Sequence, residues 1–182
     1  VPSTAGLLLI AEPMLGDPNF DRTVVLVVDH NPEGAFGLVL NRPTDVPIAG
    51  VLPDWALLAS VPAVVHVGGP VETESGWALA RVRHPDHPGF VPVLGEVGLL
   101  DLELDPTVLD DEVQALRLYA GYSGWGPGQL DAELAQEAWI VADAVDDDPF
   151  LPSSRDLWPR ILARQGGHLA RLAVFPPDPS LN

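Results

Sequence analysis

The sequence predicts an α+β fold. Runs with strand character outnumber helical ones, and they come as neighbouring antiparallel hairpins rather than alternating with helices, which disfavours a doubly wound sheet. Twenty prolines and seventeen glycines in 182 residues point the same way, toward many turns and short elements rather than a helical bundle.

In chain order, Gly6 to Ala11 is a short apolar run and reads as a buried strand. The segment Pro13-Met14-Leu15-Gly16-Asp17-Pro18 ends it in an irregular loop. Thr23 to Val28 is dense in β-branched residues, a strong strand signal. Asn31-Pro32-Glu33-Gly34 fits a type I turn, with Pro second and Gly fourth. Ala35 to Leu40 returns as a strand, so residues 23–41 read as a hairpin, closed by Asn41-Arg42-Pro43. A short helix is expected around Trp55 to Ala59, and strands at Val64 to Val67 and Trp77 to Val82. His84 to Pro88 is a stiff loop, and Val97 to Leu104 alternates weakly. Asp105-Pro106 resembles an N-cap followed by Pro at the first helical position, opening about one turn.

Ala115 to Gly121 reads as a further strand. The next stretch, Gly121-Tyr122-Ser123-Gly124-Trp125-Gly126-Pro127-Gly128, reads as a glycine-built turn around an exposed Trp125. A helix is expected from Gln129 to about Val141, because Leu130, Leu134 and Ile140 fall at helical spacing. Asp146 to Asp148 reads as a solvated acidic loop. A second helix spans Ser154 to Arg164, with Pro159 kinking it or shifting its start, and Gly166-Gly167 stopping it. Leu169 to Phe175 reads as a last strand before a Pro-rich tail. No internal repeat or linker is visible, so residues 1–182 are expected to form one domain.

The net charge is −17, and all nine basic residues are Arg. Direct nucleic-acid binding needs a basic face that neutralises phosphates, so it is not expected. Attachment to anionic membranes is disfavoured for the same reason. With no cysteine there is no disulfide, thiol nucleophile or Cys-ligated metal. The longest apolar runs, such as Val24 to Val28, are far shorter than the ~20 residues of a membrane helix. Residues 1–12 lack the pattern of a signal peptide, and the default expectation is cytoplasmic.

Several residues could carry chemistry. His30 sits where a strand meets a tight turn beside Asp29, and imidazole titrates near neutrality; the alternative is that it hydrogen-bonds the turn backbone. Asn41 and Arg42 close the same hairpin, and Arg42 could clamp a carboxylate or phosphate or simply pair with an acid. Gly68 and Gly69 could form an anion-binding nest or a plain turn. They lack the spacing of a P-loop or dinucleotide fingerprint, and no cofactor is expected. Ser123 lies between strand and helix, yet Trp125 breaks the Gly-x-Ser-x-Gly pattern of a nucleophile elbow. Trp125 could anchor a planar ligand or a protein partner, or cover the core edge. Gln129, four residues before Glu133 on one helical face, could bind a ligand at the helix mouth or cap a turn. His84, Asp86 and His87 show no fourth ligand, and no metal is expected. His30, Arg42 and the 121–129 turn are expected to line one concavity. No complete catalytic constellation is readable.

Four ordered segments carry a family resemblance: 13–25, from Pro13-Met14-Leu15-Gly16-Asp17 to Thr23-Val24-Val25; 29–43, from Asp29-His30-Asn31 to Asn41-Arg42-Pro43; Gly68-Gly69-Pro70-Val71; and Gly121-Tyr122 to Gln129-Leu130. Together they resemble the YqgE/AlgH family of bacterial proteins, and the tail Phe175-Pro176-Pro177-Asp178-Pro179 resembles its actinobacterial branch. The resemblance implies an α+β fold whose mainly antiparallel sheet curls into an incomplete barrel, with helices packed on the outside. It implies an association with regulation rather than a named reaction. Many members carry a His where this chain has Ala80, so a mechanism needing that His is not expected here. The resulting expectation is a module that binds a small molecule or a protein partner, with an indirect regulatory role. The rival is a small-molecule enzyme acting on a phosphorylated or nucleotide-like substrate.

Overall fold

The computed structural model describes residues 2–13 and 20–174. Among the described residues, ten strands alternate unevenly with a few helices. The strands are β1 (Leu7–Ala11), β2 (Val24–Asn31), β3 (Gly34–Val39), β4 (Pro43–Pro47), β5 (Val64–Val67), β6 (Val71–Val82), β7 (Phe90–Leu94), β8 (Val97–Leu100), β9 (Val113–Trp125) and β10 (Trp139–Asp143). The helices are α1 (Gln129–Ala135), α2 (Leu157–Gln165) and α3 (Gly167–Leu172), with single 3-10 turns between strands.

The sheet runs in the order β10-β1-β2-β3-β9-β6-β8-β7, with β5 joined to β9 and β4 to β5. Every pairing is antiparallel except β5 with β9. Its terminal strands β10 and β7 do not pair, so the sheet is not closed. Its two ends nevertheless approach: a Cβ on Gly6, just before β1, would stand 2.9 Å from Val93 O in β7. This is the α+β architecture that the hairpin-rich sequence predicts.

The alternation of side chains along each strand divides the core in two layers. Leu8 and Ile10 of β1, with Leu26, Leu38, Leu79 and Tyr119, pack on one face against Leu157, Trp158, Ile161 and Leu162 of α2. Leu9, Ala11, Val25 and Val27 face the other way, toward Trp125, Leu130 and Trp139. Farther along the sheet, Ala78, Ala80, Leu116 and Leu118 carry Ile48 and Trp55. Trp158 ties α2 to the sheet by donating its indole N–H to Ala11 O at 2.9 Å.

Several local expectations require correction. β9 runs on through Trp125, so the glycine-rich segment is largely strand and turns only at Gly126 to Gly128. α1 ends at Ala135, and Glu137 adopts φ 56°, reversing the chain into β10; Ile140 and Val141 are strand rather than helix. Residues 167–172 are helical, which corrects the strand expected from Leu169 onward. β4 and β7 carried no readable signal of their own. Asp148 is buried rather than solvated, held by the two terminal guanidinium nitrogens of Arg164 at 2.9 Å. Other expectations hold: Asp105 caps the turn at Pro106–Val108 by accepting from Thr107 N, and α2 starts at Leu157, with Pro159 in its first turn. Most of the Pro13 to Pro18 loop and the Phe175 to Pro179 tail lie outside the described residues.

Candidate functional site

An open cleft of about 620 Å³ lies over β3, β9 and the start of β6. It lies between two interruptions of the sheet. In the β2–β3 pair the register shifts between Val27 and Asp29, leaving Val28 as the extra residue. In the β6–β9 pair it shifts between Val71 and Gly76. Such bulges bend a strand and re-aim its side chains, and they recur beside sites.

Phe36 of β3, Trp77 of β6 and Tyr122 of β9 meet there. The ring centroids of Phe36 lie 4.9 Å from those of both Trp77 and Tyr122, and Trp77 and Tyr122 are 6.0 Å apart. All three rings are half-buried. Their tilted and edge-on arrangement is the one aromatic quadrupoles favour. Gly124 also lines the cleft, and a Cβ there would press on the Tyr122 ring at 3.2 Å. Asp29, Glu33 and Glu72 form the polar rim, and among the described residues the lining includes no Arg or His. Glu72 holds φ 47°, a left-handed backbone that costs a non-glycine residue about 1 kcal/mol or more. Ser75 Oγ donates to its carboxylate at 3.3 Å. Trp77 also borders a more apolar recess of about 500 Å³ with Val46, Leu52, Leu102 and Leu118.

The residues singled out from sequence do not converge. His30 pairs with Ala35 near the hairpin tip, whereas Arg42 follows the opposite end, where Val39 pairs with Val25. The expectation that the two share one concavity is therefore corrected by the strand register. His30 is buried, its Nδ1 accepts from Thr4 N at 3.2 Å, and its Nε2 lies 3.4 Å from Asp131 Oδ1. It fastens the N-terminal segment to the hairpin. Asn41 is equally occupied: its Oδ1 accepts from Val24 N and its Nδ2 donates to Arg22 O. Arg42 donates to Asp21 O at 3.2 Å and borders a separate hollow of about 290 Å³ with Gly69 and Pro70.

The glycine segments are a packing device. Gly68 donates its N–H to Ala120 O, and its carbonyl accepts from Val39 N and from Ser123 Oγ. Gly69 has φ 155°, and a Cβ on it would collide with the Tyr122 backbone. A Cβ on Gly68 would collide with Gly121 O. The Gly68 N–H is thus committed to the sheet rather than offered to an anion. Ser123 is fully buried, which removes it as a nucleophile.

Trp125 is buried as well, contrary to its exposed reading. Its indole N–H and that of Trp139 both donate to Glu133 Oε2, at 2.9 and 2.8 Å. Gln129 completes the arrangement, accepting from Gly126 N and donating to Glu133 Oε1. Phe20, Trp125, Gln129 and Trp139 line a smaller cleft of about 270 Å³ on the far side of Gly124. His84 bonds Glu112 at 2.8 Å, and this hydrogen bond, followed by the carboxylate charge, raises its pKa.

Sequence reasoning missed an interior polar group between β5, β9 and the C-terminal segment. His66 Nε2 lies 3.0 Å from Ser154 Oγ, and both residues are buried. Burial, then the Arg117 charge, lowers the His66 pKa to about 4, so the ring is neutral at ordinary pH. Arg117, also buried, donates to Leu151 O and Val61 O. Tyr119 lies against His66, and desolvation raises its pKa. The pair has the atoms of a nucleophile and its base, but both are buried in the fold, where the group clamps loops to the sheet. Its only trace in the sequence is a His within the apolar run of β5.

A family model described as AlgH-like matches residues 8–170. A UPF0301 protein of Streptomyces coelicolor is 49% identical, over 100% of this chain and 97% of its own length. A UPF0301 protein of Thermobifida fusca is 44% identical, over 99% and 96%. A crystal structure of a Corynebacterium diphtheriae protein matches with a TM-score of 0.90 at 28% identity, covering 96% of this chain and 93% of that one. The solution structure of the AlgH protein from Pseudomonas aeruginosa matches with a TM-score of 0.72 at 33% identity, covering 96% and 95%. Among the described residues, no helix is long and apolar enough to cross a membrane.

Proposed function

The chain belongs to the AlgH-like family, and from that footing we propose that it is a binding module for a small ligand, seated in the cleft of Phe36, Trp77 and Tyr122. The observation that carries this reading is the aromatic platform itself. Three half-buried rings from three strands meet in a concavity whose volume suits a small molecule. Rigid strands supply the platform, and the two register breaks supply its rim. A regulatory role would then be indirect, exerted through the bound ligand or a partner that senses it. The acid-rich chain favours no direct contact with nucleic acid.

The second reading, an enzyme for a phosphorylated or nucleotide-like substrate, draws on Arg42, which borders a hollow with Gly69. It ranks behind the first because the large cleft is rimmed by carboxylates, which repel phosphate.

Two measurements test the proposal. Native mass spectrometry of protein purified without denaturation reads any co-purified small molecule. A fragment screen followed by amide and indole chemical shifts then locates binding. Saturable shifts centred on Phe36, Trp77, Tyr122 and Gly124 support the reading. Saturable shifts centred on Arg42 and Gly69 instead would transfer the site to the smaller hollow and defeat it.

A further inference from the structure

Resting on the reading of this cleft as a small-ligand site, we infer that its occupant is an organic cation, an alkylated ammonium or guanidinium group carried on a small molecule. Three features of the cleft converge on that chemistry.

The first is the pairing of rings with acids. Phe36, Trp77 and Tyr122 offer π-systems, and Asp29, Glu33 and Glu72 stand around them as lining residues. A cation lying within about 6 Å of an aromatic centroid is attracted by the ring quadrupole, most strongly by Trp. A carboxylate alone would bind a small, well-hydrated metal ion as readily. A ring platform favours a large, weakly hydrated cation with apolar surface.

The second is the absence of a compensating positive charge, since the hydrogen bonds from Asn31 to Asp29 and from Ser75 to Glu72 leave the carboxylates charged. The described lining includes no Arg or His to neutralise its three carboxylates. The acids come from three places in the fold: the end of β2, the hairpin tip and the start of β6. Their convergence leaves a local negative field that an incoming cation would relieve, on top of the chain's net charge of −17.

The third is Glu72. Its backbone is held in a left-handed conformation within the β6 register break, where glycine or asparagine would sit at less cost. The strained position brings a carboxylate to the cleft wall.

The test is a charge series against the intact protein, read by the Trp77 indole and Tyr122 resonances. The probes are benzyltrimethylammonium, its neutral isostere neopentylbenzene held at its solubility limit with cosolvent, arginine methyl ester and adenosine monophosphate. The variants are the charge-removing triple substitution D29N/E33Q/E72Q, which spares the rings and the sheet, and Trp77→Leu. The cations are expected to give saturable shifts, with affinity at least tenfold above the neutral isostere. The triple variant should lose at least fivefold for the cations and leave the isostere unchanged, and 0.5 M NaCl should weaken the parent more than the variant. Trp77→Leu, if folded, should lose at least fivefold for the cations. Equal affinity for the isostere, or tighter binding of the nucleotide at these resonances, would overturn the cation inference while leaving a ligand cleft standing. No saturable shift from any probe would overturn both.

Discussion

Glu133 Oε2 accepts the indole N–H of Trp125 at 2.9 Å while also accepting that of Trp139. One carboxylate oxygen thereby pins the end of β9 to the start of β10 through α1. Trp125→Ala should therefore behave as a core truncation, losing about 3–5 kcal/mol in a denaturant titration. Glu133→Gln keeps the shape but weakens two charge-assisted bonds, and should cost about 1–3 kcal/mol. A Trp125→Ala protein with parental stability would show that the ring is not part of the core.

The glycines separate into two classes with different costs. Gly128 has φ 71° with no atom near its absent Cβ, so Gly128→Ala should lose only about 1 kcal/mol from backbone strain. Gly69 combines φ 155° with a Cβ direction blocked by the Tyr122 backbone. Gly69→Ala should lose several times as much, because β5 and β9 must separate. Thermal melts of the two variants make the comparison, and equal losses would contradict the close packing of Gly68 and Gly69 on β9.

Acid sensitivity should centre on His66. Its folded pKa is about 4, below the ordinary 6.5, first because burial penalises the charged ring and second because Arg117 is near. The unfolded chain therefore takes up the proton first as pH falls. The stabilising difference is fully present above pH 6.5 and is lost between 6.5 and 4, amounting to about 3 kcal/mol across that window. His66→Gln, which does not titrate, should show a flatter stability profile over the same range. Parallel profiles for the two proteins would contradict a buried neutral imidazole.

The Arg164–Asp148 pair is bidentate, and its carboxylate is almost wholly buried. Asp148 also accepts from Val145 N, which ties the loop after β10 to α2. Arg164→Ala strands the buried charge and should cost about 2–3 kcal/mol, less than a fully interior pair because the guanidinium is partly exposed. Replacing both residues, Asp148→Asn with Arg164→Gln, should recover part of that loss in a double-mutant cycle.

The hairpin of β2 and β3 was legible because its evidence is local: a β-branched run, a Pro-Glu turn closed by glycine, and a second apolar run. So was the Asp105 cap, which a single side chain decides. The end of α1 was not. Leu130, Leu134 and Ile140 fit a helical period, but Glu137 reverses the chain and Trp139 pairs with Ala11 across the sheet, a contact no local pattern encodes. The apolar run from Leu169 suits a strand as well as a helix, and residues 167–172 form α3 directly after Gly166 at positive φ. At the candidate site, glycine-rich segments drew attention to Gly68, Gly69, Ser123 and Trp125, whose glycines turned out to permit backbone packing. Phe36, Trp77 and Tyr122 were not legible as a unit. They come from three strands that become neighbours only through the order β3-β9-β6.

The most direct test of the cleft as the ligand site is crystallographic. Crystals of the protein soaked with a chemically diverse fragment set, cations, neutrals and anions alike, report where organic molecules bind without assuming their chemistry. The account predicts density clustered against the rings of Phe36, Trp77 and Tyr122, lost in a Tyr122→Leu protein that still melts cooperatively. Density confined to the Arg42 hollow or to the recess beside Leu52 and Leu102, with the aromatic cleft empty at every concentration, would contradict it.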